Sequence, residues 1–180
     1  QDGFADAAAA AVARHGAGRV AVVMGTSTSS IGETERAYLE ADAGRMQPGQ
    51  VALRVHNPHS LGDFVRVATG ARGACMTVAT ACSSSAKVFA HAARLLQAGV
   101  ADAAIVGGVD TLCGSVLFGF NALQLVSAEP CRPFDARRDG LSLGEAGGFA
   151  LLERESAGAR AQGWLLGYGE SSDAHHMSTP

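Results

Sequence analysis

The stretch TVATACSSSAKVFAHAARLLQAGVADAAIVGGVD, residues 77–110, decides the fold class of this chain. It opens with a β-favouring run, continues in a helix-favouring run over 83–98 that Gly99 ends, and closes on a buried strand, DAAIVGGVD. Strands that alternate with helices in this way build sheets with helices packed on them. The sequence therefore predicts an α/β layered fold.

The rest of the chain continues this alternation. Most of the predicted strands are apolar throughout, which is typical of a sheet that is covered on both faces. Residues 44–59 contain several Gly and Pro breaks and are predicted to form a loop. The remaining predicted helices cover 2–16, 33–43, 60–70 and 115–126, and the remaining predicted strands cover 19–27, 74–81, 144–153 and 164–171.

Composition limits the classes of protein to consider. The chain has 180 residues, of which 47% are hydrophobic and 17% are charged, and these values are typical of a globular domain with a real core. The net charge is −3 and there is no basic block, which argues against a nucleic-acid partner. No apolar run approaches the roughly 20 residues needed to cross a bilayer, so no membrane span is predicted.

The N-terminus and the cysteines favour a cytoplasmic protein. Asp2 and Asp6 stand where a signal peptide would carry Lys or Arg, and the segment is predicted to form an Ala-rich helix instead. A chain of this size needs no disulfide framework, so a reducing compartment is the simpler interpretation. Four cysteines lack both CxxC spacing and a paired histidine pattern: Cys75, Cys82, Cys113 and Cys131.

Cys82 stands where a predicted strand turns into a predicted helix. The free amides of a helix's first turn, together with the helix dipole, stabilise an anion, so a thiolate there is a usable nucleophile. The same amides can bind the oxyanion that forms when a thioester carbonyl is attacked. Small residues from 79 to 85 leave room for an acyl group. Cysteine is also a common small core residue, and on this chemistry alone both interpretations stay open.

No histidine is placed to act as the base of such a nucleophile. His91 comes nine positions after Cys82, and at about 100° per residue it lies on the opposite side of the helix. With Lys87 and Arg94 it forms a polar stripe on an otherwise apolar helix. The adjacent histidines 175 and 176 invite a metal interpretation, but no third ligand is spaced for one, so a surface loop is preferred.

Three segments carry a resemblance to a known family. The stretch 77–110 resembles the active-site segment of β-ketoacyl-(acyl carrier protein) synthases, the condensing enzymes of fatty acid and polyketide synthesis. CRPFDARRDGLSLGEAGGFALLE, residues 131–153, resembles their second signature, and GYGESSDAHHMSTP, residues 167–180, resembles a third. The three occur in the family's order and spacing.

This resemblance implies a thiolase-type fold of two similar α/β halves. Residues 1–180 are then the N-terminal half of a ketosynthase, a mixed sheet with helices on both faces, without its first strand and without the whole C-terminal half. The two catalytic histidines of the family lie in the second half, in segments that are not in this sequence. Their place in the family accounts for the missing base.

Carried over by position, Cys82 matches the acyl-accepting cysteine, and its backbone N–H matches one oxyanion donor. Asp173 matches an acid in a loop near the active-site entrance, where it is expected to act in gating. Gly144 to Gly148 departs slightly from the family's usual Gly-Glu-Gly-Ala-Gly. Four further residues match positions that are expected to pin loops to the sheet: Arg132, Asp135, Asp139 and Glu145.

The function implied is a decarboxylative Claisen condensation. Cys82 takes an acyl chain from a thioester, malonyl-acyl carrier protein loses CO₂, and the resulting carbanion attacks the Cys-bound acyl group. Acyl carrier protein is the implied partner, its phosphopantetheine carries the substrate, and no metal or organic cofactor is implied. The runs 83–87 and 108–127 resemble most closely those of aryl-polyene or pigment-pathway synthases. A thiolase-type acyltransferase and a non-catalytic chain-length partner subunit are the alternatives, and such partners usually lack the cysteine.

A homodimer, or a heterodimer with a related synthase or chain-length subunit, is also implied. The strand DAAIVGGVD, residues 102–110, is apolar or glycine from 103 to 109, with no Lys or Pro to protect a sheet edge. We therefore expect this strand to be the dimer edge. The alternative is that it is central within one subunit.

Overall fold

The computed structural model describes residues 3–45, 52, 54–155, 161–172 and 175. Short 3-10 turns at Ala17–Arg19 and Ala81–Ser83 precede β1 and α4. The helices and strands of the described residues are α1 (Phe4–His15), β1 (Val20–Gly25), α2 (Ile31–Asp42), α3 (Ser60–Thr69), β2 (Cys75–Val78), α4 (Ser84–Gln97), β3 (Ala103–Asp110), α5 (Gly114–Ala122) and β4 (Ala146–Glu153).

The four strands form one mixed sheet in the order β2-β1-β3-β4. β1 is parallel to both β2 and β3, and β4 is antiparallel to β3. All six residues of β1 are buried, as expected of a central parallel strand that is covered on both faces. The chain thus has the predicted α/β fold, with helices on both faces of a mixed sheet.

Two apolar clusters cover the two faces of the sheet. On one face, α1 and α3 pack Ala8, Ala11 and Val65 against Val22 and Ile105 of β1 and β3. The opposite face is covered by α4, whose buried residues Val88, Ala92 and Leu96 pack against Val23 and Val106. Successive strand residues point to opposite faces, so one apolar strand feeds both clusters.

Glycines end two helices where the sequence predicted them to do so. Gly70 follows α3 with a φ of 74°, and Gly99 follows α4 and its capping residue Ala98 with a φ of 69°. Both angles lie in the left-handed region, which glycine adopts without steric cost. The chain can therefore turn back into β2 and β3 directly after each helix.

Two further glycines let α4 approach the sheet closely. A Cβ on Gly25, at the end of β1, would lie 2.7 Å from the carbonyl carbon of Ser84 and from the amide nitrogen of Ser85. A Cβ on Gly108, near the end of β3, would lie 2.5 Å from the Cβ of Ser85. The first turn of α4 thus rests on the backbone of the two central strands.

Two of the expectations about strands were wrong. β3 is not an edge strand, because it pairs with β1 on one side and with β4 on the other, so it cannot serve as the dimer edge. Residues 164–171 form no strand. They lie instead across α4, where the Tyr168 hydroxyl donates to Oε1 of Gln97 at 3.4 Å and Glu170 pairs with Arg94. Side-chain contacts with a helix thus replace the pairing that the apolar pattern predicted.

None of the described helices is long and apolar enough to cross a membrane.

Replacing Gly25 by Ala should destabilise the protein by about 1–3 kcal/mol, because the added methyl group meets backbone atoms that cannot move aside. The matched control is Gly119→Ala in α5, where a Cβ would meet nothing within 4 Å. That variant should be as stable as the wild type or more stable by up to about 1 kcal/mol. Urea unfolding measures both free energies, and an unchanged midpoint for Gly25→Ala would contradict the close approach.

Candidate active site

The carboxyl ends of β1, β2 and β3 lie at the same edge of the sheet, because these strands are parallel. The connection from β1 leads to β2 on one side of β1, and the connection from β2 leads to β3 on the other side of β1. The chain therefore changes its direction across the sheet beside β1. Ligands of open α/β sheets bind at such a place. Cys82 lies here, in the 3-10 turn Ala81–Ser83 that joins β2 to α4. The predicted strand-to-helix position of Cys82 is therefore correct.

Serine side chains hold the turn that carries Cys82. The buried hydroxyl of Ser84 donates to the carbonyl oxygen of Ala81 at 2.6 Å and accepts from the amide of Thr80 at 2.9 Å. Ser83 donates its hydroxyl to the carbonyl oxygen of Thr80 at 2.9 Å. Ala81 has a φ of 54°, which is unusual for a residue other than glycine. The hydrogen bonds around it therefore maintain a strained backbone directly before the cysteine.

The surroundings of the four thiols separate Cys82 from two of the others. Cys82 is exposed and Cys113 is buried. Cys75 is half-buried, and both desolvation and the charge of Asp63 raise the pKa of its thiol. Cys131 is exposed like Cys82, and hydrogen bonding with Ser142 lowers the pKa of its thiol. Exposure alone thus selects two thiols, and only Cys82 stands at the start of a long helix.

A cleft of about 750 Å³ lies beside the first turn of α4. It is lined by Ser85, Ala86 and Phe89 of α4, by the end of β3 and by the start of β4. Cys82 itself is not among the lining residues. The turn that carries the thiol therefore adjoins the cleft through Ser85, three residues further along the chain.

The Asp110 carboxylate organises the loop that follows β1. It accepts hydrogen bonds from the hydroxyls of Thr26, Ser27 and Thr28 at 2.9, 2.8 and 3.2 Å, and from the amides of Ser27 and Thr28 at 2.7 and 3.2 Å. Burial by itself would raise the pKa of the Asp110 carboxyl, but the hydrogen bonds from residues 26–28 outweigh burial and hold that pKa below its ordinary value. Asp110 was not predicted as a site residue, and only its place at the end of an apolar strand pointed to it.

Glu35 of α2 accepts hydrogen bonds from backbone amides at the start of α5. Its carboxylate accepts the amides of Gly114 and Ser115 at 2.9 and 2.6 Å, which places a negative charge at the N-terminus of α5. The hydrogen bonds, chiefly those with Ser115, lower the pKa of Glu35. Glu35 of α2 therefore fixes the start of α5 against α2.

Two of the four residues that were expected to pin loops, Glu145 and Asp135, accept hydrogen bonds from backbone amides. Glu145 accepts the amide of Leu112 at 3.1 Å, which ties the start of β4 to the loop after β3. Asp135 accepts the amide of Arg137 at 2.7 Å within its own turn.

The third signature segment lies on the polar stripe of α4. Glu170 pairs with Lys87 at 3.4 Å and with Arg94 at 2.5 Å, and the guanidinium of Arg94 lies 4.9 Å from the centre of the Tyr168 ring. The polar face of α4 that the sequence predicted is therefore occupied by residues of the same chain. Asp173, the predicted gating residue, lies outside the described residues, as does His176.

Comparison with known proteins agrees with this architecture. Residues 3–158 match the family model described as β-ketoacyl synthase, N-terminal domain. A 3-oxoacyl-[acyl-carrier-protein] synthase 2 of Mycobacterium leprae is 35% identical over 175 residues, which are 90% of this chain and 42% of the relative. The homologous protein of Mycobacterium tuberculosis is 33% identical over the same share.

Solved structures show the same likeness. A ketosynthase from Xenorhabdus doucetiae, solved in complex with its chain length factor, superimposes with a TM-score of 0.74 at 36% identity, over 82% of this chain and 37% of that one. A β-ketoacyl synthase from Burkholderia phymatum gives a TM-score of 0.67 at 25% identity, over 84% of this chain and 41% of that one.

The chain has a thiolase-like ketosynthase fold. Its Cys82 lies in the turn between β2 and α4, at the carboxyl ends of the parallel strands. The chain belongs to the β-ketoacyl synthase family and carries its N-terminal domain. It spans 42% of the length of the curated relative from Mycobacterium leprae.

Asp110→Asn should lower the free energy of unfolding by about 1–2 kcal/mol near neutral pH, since it removes charge-assisted hydrogen bonds. The folded carboxyl has a pKa below the unfolded value of about 3.9, so the unfolded state binds more protons on acidification and the wild type loses this stabilisation. The difference in free energy of unfolding between the wild type and Asp110→Asn should therefore narrow as pH falls from about 5 to about 3. Denaturant unfolding at several pH values measures this difference.

Asp42→Asn serves as the matched control for this pH series, because Asp42 is an exposed aspartate at the end of α2. The free energy of unfolding of this control should stay close to that of the wild type at every pH of the series. A gap for Asp110→Asn that remains constant or widens toward acid would show that the carboxylate is not held in its charged form by the 26–28 loop.

Proposed function

We propose that the whole protein catalyses the decarboxylative Claisen condensation of an acyl thioester with malonyl-acyl carrier protein, giving a β-ketoacyl product in fatty acid or polyketide synthesis. The observation that carries the proposal is the place of Cys82, exposed in the turn before α4 at the carboxyl edge of the sheet, in a chain of the β-ketoacyl synthase family. A non-catalytic chain-length partner is less well supported, because such partners usually lack this cysteine.

The proposed chemistry starts at the thiol. The Cys82 thiolate attacks the carbonyl carbon of the acyl thioester, and the carrier thiolate leaves. The amides of the first turn of α4 and the N–H of Cys82 are proposed to stabilise the thiolate and the oxyanion in turn. Malonyl thioester then loses CO₂, and its carbanion attacks the Cys82 acyl carbon and expels the Cys82 thiolate. The overall exchange needs no oxidant and no organic cofactor.

Decarboxylation is assigned to histidines in segments beyond this sequence, as the family resemblance implies. Exposed apolar residues in α5 and in the loop over 131–140 support a further packing surface, because Phe118 is 76% and Phe134 is 100% exposed. We propose that a second α/β half covers them in the whole protein. Asp173 keeps its proposed role in the entrance loop.

The proposal includes partners and place. Acyl carrier protein delivers both substrates, and the protein pairs with a second copy or with a related chain-length subunit in the cytoplasm. The solved relative from Xenorhabdus doucetiae is a complex of a ketosynthase with its chain length factor, which supports such pairing for this chain. The aryl-polyene or pigment pathway is proposed only on the sequence runs 83–87 and 108–127.

Incubation with a short acyl thioester should acylate Cys82, because its thiol is exposed in the turn before α4 and the proposed mechanism uses the amides of that helix's first turn as oxyanion donors. Peptide mass mapping locates the added acyl group. Iodoacetamide should label both exposed thiols, Cys82 and Cys131, and should spare Cys113 and, largely, Cys75.

Cys131→Ser is the matched control, since it removes the other exposed thiol and should leave acylation unchanged. Cys82→Ala should abolish acylation while iodoacetamide still labels Cys131. Acylation that persists in Cys82→Ala, or that is lost in Cys131→Ser, would overturn the assignment of the nucleophile.

The 180-residue chain by itself should form no β-ketoacyl product from acyl and malonyl carrier thioesters, since the decarboxylating histidines are assigned to segments outside it. Mass spectrometry of the carrier protein after incubation makes the measurement. Product formed by this chain with no other synthase polypeptide would contradict the assignment of decarboxylation to histidines outside it. In the whole protein, product that forms without a malonyl group would favour the thiolase-type alternative.

A further inference from the structure

Three side chains with metal-binding atoms converge at the start of α3 and β2, apart from the turn that carries Cys82. They are His59, the residue before α3, Asp63 in the first turn of α3, and Cys75, the first residue of β2. A ring nitrogen, a carboxylate oxygen and the sulfur all lie within 4.8 Å of one another.

Backbone packing brings these groups together. His59 and Asp63 are four residues apart and so share one face of the helix. Gly62 is buried between them and β2, and a Cβ there would lie 3.2 Å from Sγ of Cys75 and 2.8 Å from Oγ1 of Thr77. The absence of a side chain at Gly62 therefore lets α3 approach the strand closely enough for the three donors to meet.

The donor set fits a borderline-soft divalent ion. Imidazole, thiolate and carboxylate together are typical ligands of Zn²⁺, which binds nitrogen and oxygen at about 2.0–2.2 Å and sulfur at about 2.3 Å. Around such an ion the donors lie roughly 3.3–3.7 Å apart. His59 and Asp63 are exposed and can close the small remaining distance by rotation of their side chains.

Thr77 supplies the outer contact that a metal-bound histidine needs. Its hydroxyl lies 3.3 Å from Nδ1 of His59 and can accept a hydrogen bond from it. Nε2, which lies 3.9 Å from Oδ1 of Asp63, is then free to bind a metal. The ion pair of Asp63 with Arg66 at 3.3 Å joins two exposed side chains and offers little resistance to a metal.

We propose that His59, Asp63 and Cys75 bind one divalent transition-metal ion, of which Zn²⁺ is the best match. On binding, the Cys75 thiol releases one proton, and the thiolate and the carboxylate together balance the two positive charges. Three protein ligands leave the fourth tetrahedral position to water. The ion fastens α3 to the strand that leads to the Cys82 turn.

Titration of the chelator-treated 180-residue protein with Co²⁺ and Zn²⁺ tests the site. Co²⁺ should produce a thiolate-to-metal charge-transfer band that saturates at one equivalent, and Zn²⁺ should remove it by displacement. At free Zn²⁺ of about 100 times Kd, Tm should rise by about 5–10 °C. Thr77→Val should raise the Kd for Zn²⁺ by about tenfold or more.

Cys75→Ser should remove the charge-transfer band, and its matched control Cys131→Ser should retain it. Asp63→Asn, at an exposed position, weakens Zn²⁺ binding and serves if Cys75→Ser does not fold. A wild type without the band, a band that persists in Cys75→Ser, a band lost in Cys131→Ser, or an Asp63→Asn protein with the wild-type Kd would overturn the proposal. These readouts are independent of acylation at Cys82.

Discussion

The close approach of α4 to the two central strands is the constraint on which the site depends. Gly25 and Gly108 face the first turn of α4, where a methyl group would meet Ser84 or Ser85 at 2.5–2.7 Å. The turn that holds Cys82 ends at Ser83, directly before α4 begins at Ser84, so any displacement of the helix away from the sheet would move the thiol. Further along α4, the buried side chains of Val88, Ala92 and Leu96 hold the helix on the sheet by apolar packing.

The turn that carries Cys82 is held by neutral groups, and the nearby carboxylates bind other segments. The hydrogen bonds that shape the Cys82 turn come from the hydroxyls of Ser83 and Ser84 and from backbone groups. The carboxylates of Asp110 and Glu35 instead bind the amides of the neighbouring loop and of α5. Each carboxylate therefore finds its partners outside the thiol turn, and α4 begins without a negative side chain in its first turn.

Local patterns were enough to predict most of the helices and strands and the place of Cys82, although the strand predicted at 164–171 did not form. The apolar runs of β1 and β3, the glycines that end α3 and α4, and the junction before α4 are all properties of neighbouring residues. What failed depends on distant pairing. An apolar strand such as β3 has the same sequence pattern at an edge or in the centre, and its partner β4 begins 36 residues after β3 ends, at Ala146 against Asp110. The Asp110 network likewise joins residues that are 82–84 positions apart.

The left-handed backbone of Ala81 limits how this segment can vary. A φ of 54° is open to glycine and tolerated by asparagine and aspartate, whereas β-branched side chains collide with their own backbone there. Alanine has the smallest side chain that still meets this steric penalty. Substitution of Ala81 by valine, isoleucine or threonine should therefore be selected against, even in a protein that did not need the thiol. Selection at this position acts on a dihedral angle, and the neighbouring cysteine would not have to be reactive for that selection to be strict.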